Sequence, residues 1–440
     1  MNVLLLLTEA FIFSLPFQWA LSPVPGVDLP FSRVFSVVLF AIFVAVGLSR
    51  RKLTIPVSRE AVLLSMFVFV SLLSISWAEN GIWAVRRAFF IAGYFPLFIV
   101  YSSIFSEYQR AAARLMRAFV AGAGISAAVG VLEFFSQFVL GAPTVFRFWT
   151  ETILPFFLGT SFSSAVAQYP SLLVGIGSQT VLRASAFFPD PHMAAFYFGL
   201  ALPFSFILMI DADHVGKRVM YAILTAMILL ADVLTFSRGG YVGLGFGLAY
   251  LFARYFRRIS DSERSAILPV SFICLVLAAA LSSGPVRERA WSSFSAEEGS
   301  NMGRLEIYAE AVRRIAERPF GYGLGNYPLA VKPTADYREP IYAHDQYLDI
   351  ATESGIIGAS LFLSVTFTAF MGLSRSRARV AVAGAVSLAI YFGHSLFETP
   401  MYSVHVLPVL LMVLALPSAN SAEGTVRFSP TNDSSESPIT

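Results

Sequence analysis

The sequence predicts an all-α polytopic integral membrane protein with about twelve transmembrane helices and a large, partly helical outer loop. Of the 440 residues, 56% are hydrophobic and only 13% are charged, whereas about a quarter of the residues in an average globular domain are charged. The mean hydropathy is +0.68. Apolar runs of about 18 to 25 residues recur along the chain, which is the length that a helix needs to cross a bilayer. These observations exclude a soluble enzyme, a disordered or fibrous chain and a nucleic-acid-binding protein.

Each apolar run is taken as one predicted span. The spans are 3–21, 31–48, 60–77, 86–106, 113–140, 191–210, 217–236, 239–256, 265–283, 355–373, 379–397 and 402–417. The first span is expected to be retained, because the N-terminus lacks the basic start and the cleavage site of a signal peptide. We see no repeat of the length that marks solenoids.

Basic residues cluster in alternate loops between these spans. The clusters are Arg50, Arg51, Lys52 and Arg59; Arg110, Arg114 and Arg117; Lys217 and Arg218; Arg254, Arg257, Arg258 and Arg264; and Arg375, Arg377 and Arg379. Loops rich in lysine and arginine stay in the cytoplasm, so both termini are predicted to be inside. The outside segments are then 22–30, 78–85, 141–190, 236–239, 284–354 and 398–401.

The chain divides into a transmembrane domain, 1–418, and an acidic, serine-rich tail, 419–440, that is expected to be disordered in the cytoplasm. The domain includes the outer loops 141–190 and 284–354. The second loop carries a helix signal, with Asn301 as its N-cap and Pro319 and Gly321 at its end. A single cysteine, Cys274, excludes a disulfide framework and a thiolate metal cluster.

Three arginines lie where the positive-inside rule predicts few basic residues. Arg183 begins RASAFFPDPH before a span, Arg238 lies in the tight turn TFSRGGYVG, and Arg304 opens the loop helix. A structural role remains the alternative for each, since arginine also caps carbonyls and reaches lipid headgroups. Because guanidinium groups match phosphate oxygens and stay charged, the three together predict an anionic ligand such as a diphosphate.

His344 is the strongest candidate for a general base in the outer loops, since imidazole titrates near neutral pH. A structural histidine is the alternative, and His192 is its competitor on the outer face. If a helix begins near Asp345, then Asp345, Asp349 and Glu353 share one face. This stripe is expected to position the histidine or a neighbouring arginine.

Other acidic and polar residues are secondary candidates. Glu133 and Gln137 lie in the fifth span, and Glu398 lies in HSLFETP; together with Asp345 and Glu353, Glu398 is taken as a supporting residue of the site. The outer loops contain no Asp-x-Asp motif, and no cysteine or histidine cluster has ligand spacing. Neither a metal nor another cofactor is therefore expected.

Four segments in this order resemble the O-antigen ligase superfamily: RASAFFPDPHMAA, TFSRGGYVGL, GRLEIYAEAVRRIAERPFGYGLGNYP and AHDQYLDIATESGIIG. The similarity covers about residues 180–400. Its most specific element is H-x-x-Y-L-x-x-x-x-E-x-G-x-x-G, which begins at His344. The upstream P-F-G-Y-G-L-G-N and S-R-G-G support it.

The resemblance implies a GT-C membrane glycosyltransferase in the bacterial inner membrane with its active site facing the periplasm. Such enzymes transfer a glycan from undecaprenyl diphosphate to a hydroxyl group, which for ligases belongs to the lipid A core, without a nucleotide sugar or a metal. A polymerase that extends lipid-linked repeat units uses the same donor chemistry and stays open as an alternative. A lipid-linked oligosaccharide flippase is a further alternative, although it would need charged groups in both leaflets.

The resemblance also implies roles for individual residues. Arg238 and Arg304 would hold the diphosphate, Arg183 would assist nearby, and His344 would be the base or the group that orients the acceptor. Single in-line displacement then predicts inversion at the anomeric carbon. Asp345 is a departure, because the family commonly has Asn or Ser after the histidine.

Overall fold

The computed structural model of the chain is mainly helical over the residues that it describes. Those residues are 2–24, 27–51, 53–108, 110–168, 171–176, 179–256, 299–337, 339, 341–420 and 425–428. The predicted span 265–283, Cys274, and all of the predicted tail except 419–420 and 425–428 lie outside them.

The helices carry numbers in chain order. They are α1 (Asn2–Ser14), α2 (Phe31–Ser49), α3 (Arg59–Leu73), α4 (Gly81–Tyr94), α5 (Leu97–Glu107), α6 (Ala111–Leu140), α7 (Ala142–Phe148), α8 (Leu154–Leu158), α9 (Thr160–Gln168), α10 (Pro191–Ile210), α11 (Val215–Leu234), α12 (Arg238–Phe256), α13 (Gly299–Glu317), α14 (Tyr327–Val331), α15 (Gln346–Arg375), α16 (Arg379–His394) and α17 (Val406–Ala415). Three antiparallel strand pairs join β1 (Ala20–Val24) to β2 (Val27–Pro30), β3 (Leu53–Pro56) to β6 (Thr425–Phe428), and β4 (Leu173–Ile176) to β5 (Gln179–Leu182).

Six stretches within the described residues are long and apolar enough to cross a membrane. They are Phe31–Ser49, Arg59–Trp77, Gly81–Glu107, Ala111–Leu140, Pro191–Ile210 and Gln346–Arg375. Shorter apolar helices cover Val3–Phe17, Arg379–His394 and Val406–Ser418. The helical membrane character predicted from the sequence is confirmed, whereas the number of twelve spans stays a prediction.

The helix predicted within 284–354 lies where its sequence signal placed it. Helix α13 begins at Gly299, two residues before the predicted cap Asn301, and ends at Glu317. Arg318 and Pro319 follow, and Gly321 has a φ of +86°. Proline cannot continue the helical hydrogen bonding, and glycine adopts a positive φ without a steric penalty.

Glycines let the central helices approach each other closely. A Cβ atom on Gly243 of α12 would lie 2.8 Å from the carbonyl oxygen of Ile390 in α16, and one on Gly199 of α10 would lie 3.1 Å from Cγ2 of the same residue. Small residues serve this purpose in membrane bundles, where close packing rather than the hydrophobic effect holds helices together. The packing brings the N-terminal ends of α10 and α12 and the C-terminal end of α16 to one place.

A glycine-rich loop, 319–326, connects the turn between α3 and α4 to α15, to which it is hydrogen-bonded at Thr352 and Glu353. The side-chain oxygen of Asn326 accepts a hydrogen bond of 2.8 Å from the amide of Asn80, and the amide of Leu324 donates to Oγ of Ser74 at 3.0 Å. Gly323 has a φ of +98°, and a Cβ atom there would lie 2.4 Å from Cα of Ala78. The P-F-G-Y-G-L-G-N segment is therefore a packing element.

Candidate active site

His344 lies in the link that enters α15, in an unusual backbone conformation. Its φ is +54°, a left-handed value that costs a non-glycine residue about 1–3 kcal/mol. The surrounding hydrogen bonds hold it there: the amide of Ala343 donates to Asp349 at 2.8 Å. The hydroxyl of Tyr308, on α13, lies 2.7 Å from the carbonyl oxygen of Leu396 and 3.4 Å from that of His344. The position of the imidazole is thus determined by contacts from two other elements.

Glu398 is the centre of the site. Its Oε2 lies 3.1 Å from Nδ1 of His344, and its Oε1 lies 3.7 Å from Nε2 of His192 and 3.6 Å from a terminal nitrogen of Arg304. The carboxylate side chain is 11% exposed. Residues from α10, α13 and the link before α15 therefore converge on one buried carboxylate that follows α16.

The charges at this centre shift two pKa values. Burial raises the pKa of Glu398, but His192, His344 and Arg304 together outweigh it and lower the pKa to about 2. The negative charge of Glu398 in turn raises the pKa of His344, against burial and the nearby Arg304. With Glu398 ionised, Nδ1 of His344 donates to it, which leaves Nε2 as the nitrogen that can take a proton.

Arg304 and the start of α12 both lie close to Phe397, the residue before Glu398. Cζ of Arg304 lies 5.9 Å from the centroid of the Phe397 ring. Arg238 is the first residue of α12 and is buried. A Cβ atom on its neighbour Gly239 would lie 2.9 Å from Cβ of Phe397. The guanidinium group of Arg304 and the turn that carries Arg238 thus lie next to the same short segment.

Ser237 connects the SRGG turn to this centre. Its hydroxyl lies 2.9 Å from Nδ1 of His192 and 3.3 Å from Nε2 of His394, and it accepts a hydrogen bond of 3.2 Å from the amide of Gly240. Since His192 also faces Glu398, the turn that carries Arg238 is joined to the carboxylate through one serine and one histidine.

Arg183 braces the same turn. The side chain is buried, and it donates from Nε to the carbonyl oxygen of Thr235 at 2.6 Å and from a terminal nitrogen to that of Ser171 at 2.9 Å. Thr235 lies just before the SRGG turn. A buried guanidinium that binds backbone carbonyls fixes the position of the chain, and it also adds positive charge near the site.

The secondary candidates in α6 anchor the segment around Arg183. Glu133 accepts hydrogen bonds from the amide and the hydroxyl of Ser185 at 2.9 and 2.8 Å and from the amide of Ala186 at 2.7 Å. Gln137 exchanges two hydrogen bonds with the backbone of Leu182. Both residues therefore hold the RASAFF segment against the bundle.

Asp345 and Glu353 have their own partners. Asp345 caps α15, because its side chain accepts hydrogen bonds from the amides of Tyr347 and Leu348 at 2.9 and 3.0 Å. Glu353 accepts a hydrogen bond of 2.6 Å from the hydroxyl of Tyr402. The carboxylate that contacts the imidazole of His344 is that of Glu398.

Sequence reasoning gave too little weight to Glu398 and His192 and did not consider Arg86 and Arg87. Glu398 is 54 residues from His344, and no local pattern connects them. The two arginines, however, directly follow the predicted outside segment 78–85. The argument that singled out Arg183 and Arg238, namely a basic residue on the outer face, applies to them equally.

No group of three or more histidine, cysteine or acidic side chains within the described ranges is arranged to hold a metal ion. The site joins the guanidinium of Arg304 and the imidazoles of His344 and His192 to one carboxylate, and Arg238 lies on the adjoining turn. Such a set can bind an anionic leaving group and accept a proton from a hydroxyl.

Residues 221–363 match the family model described as O-antigen ligase. The match covers less than half of the chain and includes Arg238, Arg304 and His344. No curated protein matches the chain.

Proposed function

We propose that this protein, whose match confirms the resemblance to the O-antigen ligase superfamily, transfers a glycan from undecaprenyl diphosphate to a hydroxyl of the lipid A core. The transfer takes place at the periplasmic face of the bacterial inner membrane and needs no metal. The observation that carries the proposal is the convergence of His344, His192 and Arg304 on Glu398.

Arg238 and Arg304 hold the diphosphate of the donor. Negative charge develops on that group as the glycosidic bond breaks, so fixed guanidinium groups stabilise the transition state more than the bound substrate. Both lie in a partly or wholly buried setting, where charge interactions are stronger than in water. Arg183 supports them by holding the turn on which Arg238 lies.

His344 acts on the acceptor. The acceptor oxygen attacks the anomeric carbon while the bond from that carbon to the diphosphate oxygen breaks, and the diphosphate leaves with the electron pair. The hydroxyl proton passes to Nε2 of His344, and Glu398 stabilises the imidazolium that forms. A single displacement of this kind inverts the configuration at the anomeric carbon.

A transfer assay in proteoliposomes tests the proposal. The purified protein receives an undecaprenyl-diphosphate glycan, with lipid A core and free lipid-linked repeat as competing acceptors and a chelator present. Product on the lipid A core is expected, and Arg304→Ala is expected to abolish it without loss of inserted protein. Lengthened lipid-linked glycan would instead identify a polymerase. Movement of the donor between leaflets without any product would identify a flippase and contradict the proposal.

A further inference from the structure

Beside the Glu398 centre lies a group of aromatic and arginine side chains that the transfer mechanism leaves unused. We call Trp83, Arg86, Arg87, Tyr337 and Tyr342 the aromatic–arginine cluster. The rings of Trp83 and Tyr337 meet edge to face, with centroids 5.3 Å apart, and Cζ of Arg86 lies 4.7 Å above the ring of Tyr337. Tyr337 and Tyr342 are 44% and 39% exposed. The ring of Tyr337 is therefore held by two neighbours and still reaches solvent.

Arg87 packs between a tyrosine ring and the glycine-rich loop. Its Cζ lies 3.6 Å from the centroid of Tyr402, and Tyr402 is fixed by its hydrogen bond to Glu353. A Cβ atom on Gly325 would lie 3.5 Å from Nε of Arg87, so the glycine-rich loop packs against the same guanidinium. A guanidinium stacked on a ring directs its N–H groups outward from the edge of the stack.

The cluster lies next to the Glu398 centre. Tyr342 and His344 flank Ala343, and Cα atoms two residues apart are separated by at most about 7 Å. Asp349 joins the two regions, because it accepts hydrogen bonds from the amide of Ala343 and from the hydroxyl of Thr399, the neighbour of Glu398. A sugar unit bound by the cluster can therefore continue to a unit that reacts at His344.

The chemistry of the cluster fits a carbohydrate. The faces of tyrosine and tryptophan rings pack against the C–H faces of pyranose sugars, and they supply rigid contact area at a low cost in conformational entropy. Arginine N–H groups donate to sugar hydroxyls and, more strongly, to carboxylate or phosphate substituents. We propose that the aromatic–arginine cluster binds a pyranose segment of one of the two substrate glycans. This inference rests on the proposed function.

Steady-state kinetics of the full-length protein in proteoliposomes test this inference. Arg86→Ala and Tyr337→Ala are each expected to raise KM for one substrate about five- to ten-fold with kcat unchanged, because they remove binding that does not change in the transition state. A higher KM for lipid A core makes the bound glycan the acceptor, and a higher KM for the undecaprenyl-diphosphate glycan makes it the donor. Tyr337→Phe restores the ring and is expected to rescue most of the loss.

Arg313→Ala is the matched control. Arg313 is 60% exposed on α13 and pairs with Glu310, so its removal also takes a positive charge from the surface but lies outside the cluster. Unchanged KM values for both substrates in Arg86→Ala and Tyr337→Ala would overturn the inference. Unchanged KM values are expected if the rings contact only lipid headgroups.

A binding measurement separates this inference from the proposed function. Calorimetric titration of the protein uses core oligosaccharide and repeat-unit glycan, each released from its lipid. If the wild type transfers no glycan in the proteoliposome assay, the proposed function is wrong. The titration then still shows whether the aromatic–arginine cluster binds a glycan. Binding of either glycan that Arg86→Ala and Tyr337→Ala weaken supports the subsite. Absent binding, or equal binding by the wild type and both variants, overturns it.

Discussion

His344 combines a strained backbone with a hydrogen-bonded imidazole, and the two can be tested separately. Asparagine adopts a left-handed backbone more readily than most residues, and its side-chain amide can still donate to Glu398 from near the position of Nδ1. It has no group at the position of Nε2. A His344→Asn variant thus preserves the local structure and removes the nitrogen that takes the proton.

We expect His344→Asn to lower kcat for glycan transfer by about 10²- to 10⁴-fold, the usual contribution of a general base. The amount of inserted protein and its thermal unfolding midpoint should stay near those of the wild type. Transfer at the wild-type rate would show that His344 is not the base.

The pH dependence of transfer follows from the same pair. The base is active when His344 is neutral, so activity should fall as the pH falls through the pKa of His344, which Glu398 raises above its ordinary value of 6.5. Glu398→Gln removes the negative charge, and the pKa of His344 should drop. The acidic limb of the plot of kcat/KM against pH is then expected to move to lower pH in Glu398→Gln. The rate of glycan transfer should also fall in this variant. A limb that stays in place would mean that another group titrates.

The position of Asp345 at the start of α15 explains why aspartate occurs there. The sequence resemblance made it a departure, since Asn or Ser is common at this position in the family. In the structure it is the N-cap of α15, and Asp, Asn and Ser are the residues that cap helices best. Aspartate at this position can therefore cap the helix as Asn or Ser would. The spacing of the motif did not indicate the capping role.

We expect Asp345→Ser to keep both stability and transfer, whereas Asp345→Ala should lower the free energy of unfolding by about 1 kcal/mol. Urea unfolding in detergent micelles, followed by circular dichroism, measures the difference. An equal loss of stability in the two variants would contradict the capping role.

The tight packing of the glycine-rich loop predicts that a side chain at Gly323 destabilises the protein. Gly323→Ala places a Cβ atom 2.4 Å from Cα of Ala78 and forces a residue with a side chain to a φ of +98°, so the variant should lose more than about 1 kcal/mol of stability. Thermal unfolding in detergent provides the measurement. Gly216→Ala is the control, because a Cβ atom there has nothing within 4 Å; a similar loss in both would contradict the explanation.

At the scale of the whole molecule, the helices were predictable and their assembly was not. Apolar runs depend on local composition, so a helix lies over each predicted span within the described residues. The predicted span 86–106 is divided between α4 and α5, with the break at Phe95 and Pro96, and proline disfavours an uninterrupted helix. The contacts that build the site are instead long-range: Asn80 binds Asn326, and His344 binds Glu398. No periodic pattern in a single sequence indicates that residues so far apart in the chain are in contact.

The orientation predicted from the basic clusters can be tested by labelling. Ile82, at the outer start of α4, is 69% exposed, and Val215, at the opposite end of α11 from the SRGG turn, is 76% exposed. In a Cys274→Ala background, a membrane-impermeant maleimide applied from the periplasm should label Ile82→Cys and leave Val215→Cys unlabelled until the membrane is opened. The reverse pattern would invert the topology and contradict a periplasmic site.

The glycine-rich loop also affects how mutational screens of this protein are to be interpreted. A screen for lost transfer should return Gly321 and Gly323 as well as Arg304 and His344, because the loop is hydrogen-bonded to Thr352 and Glu353 of α15, the helix that directly follows the His344 segment. A count of inactive variants alone would then not distinguish the residues that maintain the fold from those that act on the substrates. Protein abundance in each variant separates the two groups, since it falls for the glycines and persists for the charged residues.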